Sequence, residues 1–141
     1  MKTEIRTYFK AQILLDSPSL KEHREAFEIG NLPATTIGDF YHIGIGDSSA
    51  THNQHAVEET TSVSLTLFNR GGQDSSTTLD NLLETAHGVM ARIVNQENVA
   101  TESTIRSILY LGASPEGVED DVNENTIKVT MGFEILQGFK L

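Results

Sequence analysis

The stretch Ile127-Lys128-Val129-Thr130-Met131-Gly132-Phe133-Glu134-Ile135 alternates without a break between apolar side chains and polar or small ones. Successive residues of a strand point to opposite faces. The run therefore predicts a strand with Ile127, Val129, Met131, Phe133 and Ile135 inward and Lys128, Thr130, Gly132 and Glu134 outward. A strand wet on one face belongs to an antiparallel or mixed sheet, not to a parallel sheet buried on both faces. The same period runs through Thr61-Ser62-Val63-Ser64-Leu65-Thr66-Leu67-Phe68, where Val63, Leu65 and Leu67 face one way and the hydroxyls the other. Two such strands need helices to cover their apolar side.

The helical period supplies them. Leu79, Leu82, Leu83, Ala86, Val89, Met90 and Ile93 form a continuous apolar stripe over residues 78–95. Thr77 with Asp80 reads as a capping pair, and the acid suits the positive end of the helix dipole. Gly88 inside this helix costs about 1 kcal/mol relative to alanine, which points to a close neighbour there. A first helix is predicted over 3–15 from Ile5, Phe9 and Ile13 at i, i+4 and i+8, widened by Tyr8. Asp16-Ser17-Pro18-Ser19 ends it, because proline cannot extend a helix. Residues 19–29 read as a short second helix, capped by Ser19 with Glu22 behind it and stopped by Gly30-Asn31.

Ile37, Phe40, Tyr41, Ile43 and Ile45 suggest another strand, bulged or bent by Gly38, Gly44 and Gly46. Residues 46–59 (GDSSATHNQHAVEE) are polar and aperiodic, the pattern of a long loop or an extended hairpin tip, and make a candidate contact arm. Asn69-Arg70-Gly71-Gly72 turns the chain. Ile105, Ile108, Leu109 and Leu111 make a further strand ending at Gly112, followed by a turn at Ser114-Pro115-Glu116-Gly117 and an acidic stretch to Glu124. The fold expected is α+β: one domain over 1–141, with about four antiparallel or mixed strands, two main helices on one face and a long β-hairpin arm. The outer strands stay exposed unless a partner covers them.

Charge narrows the function. Twenty acids against ten bases give −10, and no Lys or Arg occurs between Arg24 and Arg70 or between Arg106 and Lys128. Such a surface gains nothing from phosphate counterion release, so ordinary nucleic-acid binding and attachment to an anionic membrane are disfavoured. Plain solubility is the commoner cause of such acidity. With no cysteine, disulfides, thiolate metal sites and cysteine nucleophiles are excluded. No apolar run approaches the ~20 residues of a membrane span, and residues 1–6 lack the pattern of a secretory signal.

Candidate chemistry is sparse. His52-x-x-His55 with Glu58 and Glu59 offers imidazole and carboxylate ligands suited to zinc, but this spacing does not put both rings on one helical face; solvated histidines are the preferred reading. Gly44-Ile45-Gly46 lacks the third glycine and the helix of a dinucleotide fingerprint. Asp39 and His42, with Ser48 or Ser49 as nucleophile, lack any nucleophile elbow. His87 sits on the polar side of the main helix. The acidic run Glu116, Glu119, Asp120, Asp121 and Glu124 lacks the residue order of a calcium loop. No catalytic, cofactor or metal site is expected.

The order of features as a whole resembles the tail terminator proteins of long-tailed bacteriophages, the lambda-type minor tail protein U family. The resemblance covers nearly the whole chain. It is carried by Glu4-Ile5-Arg6 in the first helix, Asn31-Leu32-Pro33-Ala34 before the first long strand, and the polar hairpin leading to Leu67-Phe68. It continues through Leu79-Asp80-Asn81-Leu82-Leu83, the acidic turn and the final alternating strand. Segment 16–31 is longer here than in that family. The resemblance implies a ring, usually a hexamer, that stops tube growth at the head-proximal end of the tail. Its implied partners are copies of itself, the major tail tube protein and the neck or head–tail connector, with DNA passing through unbound. Assembly would take place in the host cytoplasm and the product would reside in the virion. Asp47, His52, His55, Glu58 and Glu59 are then the expected subunit or partner contacts, and Glu116, Glu119, Asp120, Asp121 and Glu124 the residues lining or rimming the lumen. Two other readings stand beside it: a head-completion, neck or tail-tube protein, and a ferredoxin-like domain binding a small ligand.

Overall fold

The computed structural model describes residues 2–23, 38–70, 75–118 and 126–140. In chain order these form α1 (Lys2–Asp16), β1 (Lys21–Glu22), β2 (Gly38–His52), β3 (Ala56–Arg70), α2 (Ser75–Val94), α3 (Gln96–Ala100), β4 (Ile105–Val118) and β5 (Thr126–Lys140). The five strands make one mixed sheet in the order β1-β2-β3-β5-β4. Every long pair is antiparallel, and only the short β1 runs parallel to its neighbour.

Alternation places the core where the sequence predicts it. Val63, Leu65 and Leu67 of β3 and Val129, Met131, Phe133 and Ile135 of β5 are buried together under Ile5, Tyr8, Phe9 and Ile13 of α1 and Leu82, Ala86, Val89 and Ile93 of α2. Phe9 meets Phe133 edge to face, with ring centroids 5.2 Å apart. The Tyr8 hydroxyl donates to the Ile93 carbonyl at 2.7 Å and so ties the two long helices together. The close neighbour expected at Gly88 is Asp16: a Cβ there would stand 3.1 Å from both carboxylate oxygens. Arg92, one turn on, binds that carboxylate at 3.5 Å.

The fold departs from the sequence expectation at four places. Residues 21–22 of the expected second helix are strand β1, paired with Phe40 and Tyr41. Glu22 is held by Lys10 at 2.8 Å and Arg6 at 3.4 Å, and the His23 N–H donates to the Tyr41 carbonyl, so tertiary partners override helix propensity. Ser19, the expected cap, lies in a turn before β1, and residues 24–29 of that segment, with Asn31 to Ala34, lie outside the described residues. The sheet accordingly has five strands. The turn expected at 114–117 is strand: Pro115 sits opposite Val129 in β4, which a proline can do because β4 is an edge strand. The main helix starts at Ser75, so Thr77 and Asp80 both lie inside its first turns. A helix the sequence reading omits, α3, is capped by Asn95, whose side chain accepts from the Glu97 and Asn98 amides.

The arm is a hairpin. Strands β2 and β3 stay paired out to His52↔Val57, leaving only 53–55 as connection. The Asn53 side chain accepts from the His55 and Ala56 amides at 2.8 and 2.9 Å and closes the tip. One irregularity breaks β2, a bulge between Ile45 and Ser48.

Three outcomes follow from this packing. Phe9→Ala, at a site with no solvent exposure, should lower the unfolding free energy by about 3–5 kcal/mol in denaturant titrations. Burial, and secondarily the Glu102 carboxylate, push the Tyr8 hydroxyl up to about 12 from 10.0. The folded state thus keeps Tyr8 neutral while the unfolded chain ionises, so this stabilisation is full below pH 10 and is lost as the pH climbs towards 12. Tyr8→Phe should reduce the alkaline fall in melting temperature, leaving the part due to Tyr41, which burial shifts the same way. Asn53→Ala should accelerate amide exchange at His55 and Ala56 by about fivefold while leaving core amides unchanged, roughly the loss of one cap worth ~1 kcal/mol.

Candidate assembly surface

Residues 46–55 are exposed along their whole length, and Lys2 of α1 donates to the Gly46 carbonyl at 3.1 Å at their root. Arg6 likewise donates to the Ile43 carbonyl at 3.3 Å. Two basic side chains of α1 thus satisfy backbone acceptors of β2 beyond the short β1. At the other side of the sheet β4 is the last strand, its outer edge without a paired strand among the described residues.

The arm distributes its candidate contact residues over two faces. Directly paired residues share a face, so Ala50↔Glu59 and His52↔Val57 put His52 and Glu59 on one side, and Thr51↔Glu58 puts Glu58 on the other. Asp47 lies in the bulge and His55 in the tip. Among the described residues no group of three or more His, Asp or Glu side chains is placed to hold a metal ion. Ser48 shares a 2.9 Å hydroxyl contact with the buried Thr61. Asp39 and His42 fall on opposite faces and do not form a dyad. Asp39 accepts from Asn69 at 2.6 Å, and His42 Nδ1 donates to the His23 carbonyl at 2.8 Å. His87 is exposed. Of the acidic run, Glu116 is a β4 residue opposite Lys128, while Glu119, Asp120, Asp121 and Glu124 lie outside the described residues.

The sheet face turned away from α1 and α2 carries a feature with no local sequence signature. Gly44, Ser64, Gly132 and Gly112 are partners in register across four strands, so one whole row carries nothing larger than a hydroxymethyl group. Flanking it are His42, Thr66, Thr130 and Ser114 on one side, and Ser62, Glu134 and Leu109 on the other. The result is a groove of about 420 Å³ with Leu111 at one end. At Gly112 the backbone takes φ +120°, beside a second register break between Tyr110 and Gly112. Alternation along β4 sends Tyr110 inward against Phe133 while Leu109 and Leu111 both face solvent, each 57% exposed, and the break puts Gly112 on the outer face as well. Next to Leu109 stands Glu134, its register partner. A smaller polar cavity of about 110 Å³ lies between Asp39 and Asn69 on the strands and Thr78, Asn81, Leu82 and Thr85 on α2. The Asn69 Oδ1 is enclosed there without a hydrogen-bond partner.

Neither a family model nor a curated protein matches the sequence. Among solved structures, the chain is similar in fold to a chain from the virion of a native gene transfer agent particle. The two share 10% identity with a TM-score of 0.53, over 93% of this chain and 92% of that one. At that identity the likeness is one of fold: helices over one face of a sheet, matched nearly end to end.

Proposed function

We propose that this chain is a structural subunit of a phage-type virion, a ring component that ends the tail tube at its head-proximal side and joins it to the neck. The observation that carries this reading is the end-to-end likeness of fold to a chain of a virion particle. The order of sequence features set out above supports the narrower position in the tail. Six copies in a closed ring is the arrangement that the family resemblance implies.

The surface suits the role physically. A closed ring uses heterologous contacts, in which two different patches of one subunit meet on its neighbours. The arm of residues 46–59 and the open β4 edge are two such features on one sheet. Asp47, His52, His55, Glu58 and Glu59 are then contacts with the next subunit, the major tail tube protein or the neck connector. The excess of ten negative charges would keep passing DNA from adhering, over the ~8–10 Å that charge reaches at physiological salt. Glu116, Glu119, Asp120, Asp121 and Glu124 are the residues assigned to that lumen or its rim.

Negative-stain imaging and native mass measurement of the purified protein, alone and with tail tubes, test the reading. Six-fold rings, or monomers that form rings on added tubes and halt their growth, are the expected result. A neck or completion protein would instead bind preformed heads and leave tube growth unchanged. A dimer whose melting temperature rises with a metabolite would replace the assembly reading with a ligand-binding one.

A further inference from the structure

We infer that the helical layer of one copy seats on the open sheet face of the next, with Leu14 and Leu15 of α1 entering the groove beside Leu111. This rests on the assembly reading above and specifies which surfaces meet. The large hydrophobics left exposed among the described residues are Leu14 and Leu15, at 64% and 65%, and Leu109 and Leu111. They form two pairs on opposite layers of the molecule, one at the end of α1 and one on the sheet face turned away from α1 and α2. A two-fold contact would set each pair against itself; a head-to-tail contact sets one pair against the other. The groove is open because Gly44, Ser64 and Gly132, adjacent in register, have no bulk to fill it, which gives a projecting leucine pair somewhere to go.

Charge points to the same pairing. A chain of net charge −10 repels its own copies, so a self-contact forms where its few bases meet acids. The leucine pair on α1 is flanked by Lys10, one turn before Leu14, and by Arg92, which binds Asp16 beside Leu15. Both bases remain nearly half exposed while paired within the chain, at 46% and 44% of their side chains. The leucine pair on β4 is flanked by Glu134, which is exposed. Lys128 and Arg106 share that face further along, Lys128 in register with Glu116 and Arg106 over Gly138.

Leu15→Glu adds to α1 a charge like that of Glu134, and Leu109→Lys adds to the sheet a charge like those of Lys10 and Arg92. Both sites are exposed, so neither change should disturb the fold. Sedimentation velocity and imaging of the wild type, the two single variants and the double variant decide the matter. Each single variant should weaken self-association by at least about tenfold, and the double variant should recover to within about threefold, as opposite charges then face each other. Single variants that assemble like the wild type overturn this inference and leave the ring reading intact. A lower melting temperature of Leu15→Glu with unchanged assembly also overturns it, since the α1 pair would then be covered from within its own chain. A wild-type protein that forms no rings, alone or on tail tubes, removes the assembly reading itself.

Discussion

Strands β3 and β5 run antiparallel through fifteen residue pairs, from Ala56↔Lys140 to Arg70↔Thr126, without a shift. The remaining elements are built on that ladder. Its register sets Val63, Leu65 and Leu67 beside Phe133, Met131 and Val129, so a single apolar surface is presented to the helices. A slip of one residue would turn either strand's entire apolar set to solvent, which makes this register strongly specified. The helices follow from it. Phe9 finds an edge-to-face partner in Phe133, and the Tyr8 hydroxyl reaches Ile93 only because both helices lie flat on the same surface.

Outward from the ladder, specification weakens and irregularity rises. Strand β2 carries a bulge after Ile45, and β4 carries two breaks, near Arg106 and Leu111. Both strands lie away from the centre, where fewer neighbours constrain them. The irregularities have consequences. The bulge exposes Asp47 at the root of the arm, and the break at Leu111 turns Gly112 to the outer face beside Gly132. Bulges re-aim side chains, and on this molecule they re-aim them at the surfaces available for contact with other chains.

Those surfaces are extended edges and faces. The grooves among the described residues are shallow or small, and their functional reading comes from shape, charge and apolar exposure, not from reactive groups. Titratable side chains that adjoin in sequence, such as Asp39 and His42, are separated by the pleat onto opposite faces and satisfied by different partners. The arrangement, a sheet with two unlike sides and a hairpin extending from one end, suits the proposed assembly role. The likeness to a chain of a virion particle is a likeness of this framework.

What the amino-acid sequence by itself determined is the layering. The period-two pattern at 127–135 and 61–68 and the helical stripes at 3–15 and 78–95 separate inward from outward residues, because those periods are properties of the local backbone. The chemistry of the contact arm was legible only as polarity: residues 46–59 read equally as loop or hairpin tip. Several features were settled by distant partners. Lys21 and Glu22 became strand because Arg6, Lys10 and the β2 backbone hold them. Ser114 and Pro115 stayed extended because β5 pairs with them, although proline and glycine nearby spell a turn. The groove formed because Gly44, Ser64 and Gly132, scattered through the sequence, fell into one row. Main-chain hydrogen bonds across a sheet carry almost no side-chain signature. Which strands pair, and in what register at the edges, was therefore decided by the tertiary fold and not by local sequence.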